Sequence, residues 1–283
     1  MQICKTFSEI RATVGEWRRQ GQTVVFVPTL GNLHEGHLQL VNLAATQGDK
    51  VVVSIFVNPL QFGKNEDYAL YPRTLDADVE KLRGAGANAL FCPSDSEVYP
   101  NGVEEQTTVA VPTMTNILCG ATRPGHFTGV TTIVSKLFNI VQPHKAVFGV
   151  KDFQQLAVVR RMVEDLCFPI EIIGAPVARA DDGLALSSRN GYLNAAERAI
   201  APALYRTLVA ARDTIAAGER NYALLGARAQ ISLLEAGMRP DYLSVRAAKT
   251  LEPAAPGDHD LAILAAAYLG KTRLIDNVTI SIP

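Results

Sequence analysis

Cysteine is scarce in this sequence, and the few cysteines are not arranged for a shared task. Cys4, Cys92, Cys119 and Cys167 are widely separated and form no Cys-x-x-Cys pair, so they indicate inert thiols rather than a disulfide framework or a zinc site. The sequence also has no apolar run near the ~18 residues that a membrane span requires, and no basic-then-apolar leader. These absences predict a cytoplasmic protein without a membrane partner.

A charge excess of either sign is missing as well. The 27 lysines and arginines nearly balance the 28 aspartates and glutamates, which leaves a net charge of −1. Because nucleic-acid binding usually requires a basic surface, a nucleic-acid partner is not expected. The length of 283 residues is comfortable for two domains with separate cores.

Strands alternate with helices over the first part of the chain. Apolar, β-branched runs predict buried strands, and the segments between them have apolar residues at helical spacing. This alternation is typical of an α/β fold with a doubly wound, Rossmann-like parallel sheet. Strands are predicted at residues 24–27, 50–57, 89–93, 146–150 and 170–177. Pro28 is expected to stop the first ladder because it has no N–H to donate.

Other segments give weaker or different signals. Thr6 and Glu9 have the spacing of a capping box at the start of a helix. Residues 95–116 are interpreted mostly as surface, with a possible strand at 107–111 and a possible subunit contact. After Asn190, two alanine-rich helical stretches (195–216 and 222–235) precede three strand-like runs (242–246, 261–269 and 274–280). Helices followed by consecutive strands predict a smaller α+β C-terminal domain.

The stretch from Val24 to His37 gives the strongest functional signal. A buried strand, a turn with Gly31 and the opening of a helix place His34 and His37 near the helix N-terminus. Unpaired N–H groups and the positive end of the helix dipole favour an anion there, and both imidazoles can donate to one phosphate. Two surface histidines are the plain alternative. A zinc pair is disfavoured because such histidines are spaced by four and need a third ligand.

Several further side chains are candidates. Gln61 follows the second strand and should face the same crevice as the histidines, since ligands of parallel sheets bind at the strands' carboxyl ends. Lys151 follows another strand, and a solvated lysine is an equally good interpretation. Arg123 and His126 precede the helical run 130–141, where they either contact a substrate carboxylate or organise the helix start.

Five blocks of the sequence resemble the pantoate–β-alanine ligase (pantothenate synthetase) family. His34-Glu35-Gly36-His37 is similar to the His-x-Gly-His signature of the nucleotidyltransferase superfamily, which binds ATP phosphates. The longer blocks are Pro28 to His37, Val57 to Phe62, Tyr71 to Thr74, Arg123 to Phe127 and Leu186 to Asn190. In the last block, Ser187, Ser188 and Arg189 resemble the flexible Lys-Met-Ser-Lys-Ser-type loop of the superfamily.

The resemblance implies an ATP-dependent condensation of (R)-pantoate with β-alanine through a pantoyl-adenylate, giving pantothenate, AMP and pyrophosphate. It implies Mg²⁺ with ATP, metal ligands that are unknown, and a homodimer. Residues 1–177 would bind nucleotide and pantoate, and residues 178–283 would cover the active site. The implied catalytic residues are His34, His37, Lys151 and Arg189, and the implied substrate-binding residues are Pro28, Thr29, Gln61 and Gln155. The implied ATP-binding residues are Leu30, Gly31, Asn32, Leu33, His34, Glu35, Gly36, His37, Gly149, Val150, Lys151, Asp152, Ala178, Leu186, Ser187, Ser188 and Arg189.

Two residues depart from the family pattern. Leu30 stands where methionine is usual, which is a mild apolar exchange. Val150 stands where glutamate is usual, so a carboxylate beside the nucleotide is missing.

Three other functions are compatible with parts of the sequence. A nucleotidyltransferase that stops after nucleotidyl transfer would use the same histidines. A class I aminoacyl-tRNA synthetase is disfavoured by charge and length, and a non-catalytic nucleotide sensor by the intact polar residues.

Overall fold

The computed structural model describes residues 1–63, 66 and 68–282. The chain divides into two compact units. The N-terminal unit comprises Met1–Val150 and Val158–Pro176, and the C-terminal unit comprises Lys151–Ala157 and Val177–Pro283. The division into domains 1–177 and 178–283, with the roles expected for each, stays a prediction.

In the described part of the N-terminal unit, six parallel strands form one sheet, so the predicted α/β fold is confirmed. The strands are β1 (Gln2–Cys4), β2 (Val24–Thr29), β3 (Lys50–Ile55), β4 (Ala89–Phe91), β5 (Lys145–Gly149) and β6 (Glu171–Ala175). Their order in the sheet is β1-β4-β3-β2-β5-β6. From β2, the strands β3 and β4 are added on one side and β5 and β6 on the other, so the strand order reverses between β2 and β5. Ligands of such sheets bind outside the carboxyl ends of the strands at this position.

Among the described residues, eight helices connect or follow these strands. They are α1 (Phe7–Arg19), α2 (Glu35–Gln47), α3 (Leu75–Gly84), α4 (Asp95–Val98), α5 (Pro112–Thr115), α6 (Cys119–Thr122), α7 (His126–Val141) and α8 (Phe153–Asp165), and short 3₁₀ turns lie at Pro59–Gln61 and Val150–Asp152. The predicted capping box at α1 is confirmed, because Thr6 accepts the Glu9 N–H and Glu9 accepts the Thr6 N–H. Asp152 lies in the second 3₁₀ turn, directly before α8.

Pro28 does not stop the β2 ladder, so that prediction is wrong. The strand continues to Thr29, which pairs with Ile55 of β3. Carbonyls alternate sides along β2: Val24 accepts from His144 on the β5 side, and Thr29 accepts from Phe56 on the β3 side. Pro28 therefore faces the β5 side, where strand pairing has already ended at Phe26. Its missing N–H leaves no gap in the ladder.

Apolar side chains bury both faces of this sheet. On one face Val25, Val27 and Val53 pack in a cluster with Val41 of α2 and Leu82 of α3. On the other, the ring of Phe138 in α7 meets Phe26 of β2 at 6.4 Å and Phe148 of β5 at the same distance. Edge-to-face packing of this kind adds to the area burial, and it fixes α2 and α7 on opposite sides of β2.

The stretch 95–116 is more buried than expected and has no strand at 107–111. Val98, Tyr99, Val111 and Met114 are all buried. The sequence concealed this because these residues stand among polar neighbours without a regular period. Val109 is instead held by α7, since its N–H donates to the Thr132 hydroxyl and its carbonyl accepts from Thr131.

The C-terminal unit has an antiparallel sheet covered by helices, as expected for a small α+β domain. Its elements are α9 (Ala195–Ile200), α10 (Ala203–Ala216), α11 (Tyr222–Glu235), β7 (Arg239–Ala247), β8 (Asp260–Leu269) and β9 (Thr272–Ser281), with a 3₁₀ turn at Ser188–Tyr192. The helix predicted over 195–216 is two helices, because Pro202 lies at the N-cap of α10 and proline has no N–H to continue α9.

In the part of the chain that the structure describes, no helix is both long and apolar enough to cross a membrane.

Candidate active site

The two histidines of the predicted anion site close the N-terminus of α2. His34 is the N-cap, and its Nδ1 accepts the Gly36 N–H at 3.1 Å. The Nδ1 of His37 accepts the His34 N–H at 3.3 Å. Their rings lie 4.1 Å apart between centroids. Each histidine thus satisfies an N–H that a helix start would otherwise leave without an intrahelical partner, and the prediction that both lie on this turn is confirmed.

These bonds fix the chemistry of the imidazoles. A nitrogen that accepts a backbone N–H carries no proton of its own, so a neutral ring holds its proton on Nε2. Both His34 and His37 then present an Nε2–H, which is a hydrogen-bond donor. Two donors side by side at the positive end of a helix dipole are suited to a phosphate.

The turn before α2 rests on a carboxylate that the sequence analysis missed. Asp78 of α3 is fully buried, and its two oxygens accept the N–H groups of Asn32 at 2.9 Å and Leu33 at 2.8 Å. Gly31 has φ +83°, and a Cβ there would lie 3.0 Å from Ile55 and 3.3 Å from Asp78. Glycine is therefore required. The available signal was that Asp78 precedes the buried Leu82 by four residues, on the inward side of a helix.

The other predicted residues of this turn are mostly half-buried. The Thr29 hydroxyl donates to the Ser54 carbonyl at 2.8 Å and accepts the Gly31 N–H at 3.2 Å, so it closes the turn. Pro28, Leu30 and Gly36 are half-buried, and Glu35 is exposed. Contact of any of these residues with substrate or ATP stays a prediction.

Gln61 is buried, with 7 % of its surface exposed, at the end of the 3₁₀ turn that follows β3. Gly129 of α7 packs against this turn so closely that a Cβ would lie 2.1 Å from the Leu60 carbonyl. Asn58 joins the same contact, because its amide donates to the Gly129 carbonyl at 3.0 Å and accepts the Tyr99 hydroxyl at 2.6 Å. These contacts hold Gln61 in place without using its side-chain amide.

Arg123 and His126 contact this turn, which favours the structural one of their two predicted roles. His126 Nδ1 lies 2.7 Å from the Gln61 carbonyl, and its Nε2 lies 2.9 Å from Arg123. A carbonyl only accepts and a guanidinium only donates, so the ring is protonated on Nδ1.

Arg123 is itself paired with Glu66 through two contacts of 2.6 Å. Burial would raise the pKa of the Glu66 carboxyl, but the hydrogen bonds and charge of Arg123 outweigh this effect, and the pKa lies below its ordinary value. The result is a chain of bonds from Glu66 through Arg123 and His126 to the backbone of Gln61.

At the end of β5, Gly149 lies beside α2, since a Cβ there would be 3.9 Å from Leu40. Val150, Lys151 and Asp152 follow as a 3₁₀ turn. Lys151 is largely buried, with 18 % of its side chain exposed, and its ammonium lies 3.8 Å from the Asp152 carboxylate. Lys151 is therefore not the fully solvated lysine of the alternative interpretation.

The predicted ATP residues after Val177 lie on a hairpin of the C-terminal unit. Leu186 N–H donates to the Ala178 carbonyl at 2.9 Å, and Arg179 bridges Ala185 as antiparallel neighbours. The Ser187 hydroxyl then accepts the Arg189 N–H at 3.3 Å as a short helical turn begins. Ser188, Arg189 and Gln155 are half-buried. The predicted site residues thus form two sets, one in each unit.

The chain matches the family model described as pantoate-beta-alanine ligase over residues 2–279. It is 60 % identical to a pantothenate synthetase from Pseudomonas putida (strain W619), over 98 % of this chain and 97 % of that protein.

Two solved structures are similar over nearly the whole chain. One is a pantothenate synthetase from Thermus thermophilus, at 45 % identity and a TM-score of 0.91, covering 98 % of this chain and 99 % of that one. The other is a pantoate-beta-alanine ligase from Francisella tularensis complexed with beta-gamma ATP and beta-alanine, at 33 % identity and a TM-score of 0.79, covering 98 % and 97 %. The family model and these relatives place the chain in the pantoate–β-alanine ligase family of enzymes.

Proposed function

We propose that this enzyme joins (R)-pantoate to β-alanine in two steps through a pantoyl-adenylate. In the first step a pantoate carboxylate oxygen attacks the α-phosphorus of ATP and pyrophosphate leaves. In the second, the β-alanine amine attacks the acyl carbon and AMP leaves, giving pantothenate. The Francisella relative was solved with a form of ATP and with β-alanine, which supports the choice of these substrates.

One observation carries the proposal: the Nδ1 atoms of His34 and His37 both accept backbone N–H groups at the N-terminus of α2, which assigns the proton of each neutral ring to Nε2. Negative charge accumulates on the phosphates as pyrophosphate departs. Donors held in place before the reaction stabilise such charge without reorganising. We assign the β- and γ-phosphates to these histidines, with Leu30 to Gly36 forming the surrounding turn.

In the C-terminal unit we assign Lys151, Ser187, Ser188 and Arg189 to the phosphates as further donors, because hydroxyl and cationic groups form strong bonds to phosphate oxygens. The remaining residues of the proposed ATP site are Gly149, Val150, Asp152, Ala178 and Leu186. Val150 contributes through its backbone only, since valine lacks the carboxylate usual there.

Pantoate carries a hydroxyl, a carboxylate and two methyl groups. We assign its oxygens to Gln61 and Gln155, which bond without adding charge, and its methyls to Pro28 and neighbouring apolar atoms, with Thr29 at the strand end. Gln61 is suited to this role because its backbone holds it in place while its amide makes no hydrogen bond to a described residue.

We propose Mg²⁺ as the companion of ATP. Among the described residues, no three His, Cys, Asp or Glu side chains come together as a metal site. Mg²⁺ commonly keeps several waters and binds through substrate phosphates, so it does not require such a cluster. The ion would offset phosphate charge. We also propose a cytoplasmic homodimer, which light scattering of the purified protein would test.

Pyrophosphate exchange tests the two-step reaction. Pantoate and Mg-ATP without β-alanine should move labelled pyrophosphate into ATP, because the first step is complete and reversible by itself. Adding β-alanine should then release AMP and pantothenate. Formation of ADP without exchange would replace the adenylate by a pantoyl phosphate. Exchange without an amide product would favour a nucleotidyltransferase, and folded protein without any turnover would favour a nucleotide sensor.

A further inference from the structure

Two segments of the C-terminal unit that are assigned to phosphates are both held by neighbouring residues of β9. The side-chain amide of Asn277 donates to the backbone carbonyl of Lys151 at 2.9 Å. The backbone N–H of Asn277 donates to the carboxylate of Asp276 at 2.8 Å. Asp276 and Asn277 are both buried, at 4 % and 3 % exposure. Asn277 thus fixes the backbone of Lys151 from a distant part of the sequence.

Asp276 holds the base of the hairpin. Arg179 donates to both of its carboxylate oxygens, at 2.6 and 2.9 Å. The same guanidinium donates to the carbonyls of Gly183 at 3.0 Å and Asn277 at 3.2 Å, and it stacks 3.7 Å over the ring of Tyr205. A two-pronged Arg–carboxylate pair fixes orientation as well as distance, so Arg179 has little freedom to turn.

The hairpin transmits this position to the Ser187–Arg189 turn. Ala180 N–H donates to Leu184 at 2.9 Å, and Leu186 N–H donates to Ala178 at 2.9 Å, on either side of the Arg179–Ala185 bridge. Asn190 closes the far side, since its amide donates to the Ala185 carbonyl at 3.0 Å. A displacement of Arg179 would therefore also displace the Ser187–Arg189 turn.

We infer that Asp276 and Asn277 are positioning residues for the nucleotide, setting the separation between Lys151 and the Ser187–Arg189 turn; the inference rests on the proposed ATP site. Their bonds differ from those of an ordinary ion pair in this sheet. Arg273 and Asp241 form a similarly buried pair, at 2.7 Å and with 15 % and 13 % of their side chains exposed, but they join β9 to β7. Asp276 and Asn277 instead contact segments outside the sheet.

Asn277→Ala tests the inference because it removes the uncharged amide that donates to the Lys151 carbonyl and keeps both charged partners of the Arg179–Asp276 pair. Asn221→Ala is the matched control, since Asn221 caps α11 in the same unit by accepting the Leu224 N–H. The dissociation constant of Mg-ATP, measured by calorimetry, should rise at least about tenfold in Asn277→Ala, because a displaced Lys151 loses a charge-assisted bond to a phosphate oxygen. The KM for pantoate should stay within twofold.

Affinity is measured apart from turnover, so the outcome does not depend on the adenylate chemistry. If wild type binds Mg-ATP but shows no pyrophosphate exchange, the proposed reaction fails while the inference is still decided by the two affinities. Unchanged ATP affinity in Asn277→Ala would overturn it. So would an equal loss in Asn221→Ala, since that would reflect general destabilisation. Asn277→Asp is a second test, because its carboxylate cannot donate to the Lys151 carbonyl and repels it. An unaltered affinity for Mg-ATP in this variant would also overturn the inference.

Discussion

The turn with His34 and His37 and the hairpin of residues 178–186 are both assigned to ATP. The hydrogen bonds that hold them differ in the sequence separation of their partners. In the turn, each histidine accepts an N–H from a residue at most three positions away. In the hairpin, the decisive contacts of Arg179 reach Asp276 and Asn277, almost 100 positions along the chain. Local bonds follow from local sequence, whereas distant bonds follow from the fold.

His37→Ala should have the largest effect, and it would test the turn that is held by local hydrogen bonds. Loss of one preorganised donor typically slows a reaction ~100-fold or more, and we expect that loss in pyrophosphate exchange. Stability should change by only about 1 kcal/mol, the typical loss when a helix cap is removed. Parallel exchange assays and thermal melts measure both. A turnover rate within a few-fold of wild type would refute the phosphate assignment.

Gln61→Leu addresses an intermediate case, in which a residue after a strand is held by α7 through its backbone carbonyl. Leucine preserves the bulk but offers pantoate no hydrogen bond. An unpaired buried polar group costs about 1–3 kcal/mol, so the KM for pantoate should rise roughly 5- to 150-fold. ATP affinity should not change.

Gln39→Leu, on the exposed side of α2, is the control for this change and should leave both constants as in wild type. A matching loss of ATP affinity in Gln61→Leu would place Gln61 elsewhere in the site.

The same distinction explains which features the sequence predicted. The helix α1, with its cap pair Thr6 and Glu9, and the β2–α2 joint depend on spacing within a few residues. The strand β1 was missed because it has only three residues, of which Cys4 alone is buried, and it exists by pairing with β4. Tyr99 was misjudged because its partner, Asn58, lies 41 positions earlier.

Asp78→Asn would sharpen the comparison, because Asp78 supports the locally built turn over a long distance in the sequence, as does Lys81, whose ammonium donates to the Leu33 carbonyl at 2.6 Å. Asparagine keeps the shape but can accept through one oxygen only, so either Asn32 or Leu33 loses its acceptor. We expect the free energy of unfolding to fall by about 1–3 kcal/mol and the exchange rate to fall by roughly tenfold. Chemical denaturation and exchange assays measure the two effects.

Asp76→Asn, in the exposed first turn of the same helix, removes an equal charge and should cost only about 0.3–1 kcal/mol through the helix dipole. If both variants had the same free energy of unfolding and the same exchange rate, the effect of Asp78 would come from its charge and not from its two hydrogen bonds to the turn.

His144 permits the smallest test, because it forms the same type of bond as His34 and His37 but over a long distance in the sequence. Its Nδ1 accepts the Val24 N–H at 2.9 Å, at the opposite end of β2 from His34 and His37. Burial, with a smaller contribution from the charge of Arg18, lowers the pKa of His144 below its ordinary value of 6.5. The folded protein therefore keeps this ring neutral over a pH range in which the unfolded chain already binds a proton.

The sign of the effect follows from this proton balance. The stabilisation is fully present above pH 6.5 and is lost as the pH falls through the lower pKa of the folded state. His144→Asn retains an acceptor for Val24 but does not titrate, so the decline of the melting temperature between about pH 7 and 5 should become shallower. An unchanged decline in His144→Asn would mean that this distant bond does not contribute to the pH dependence of folding.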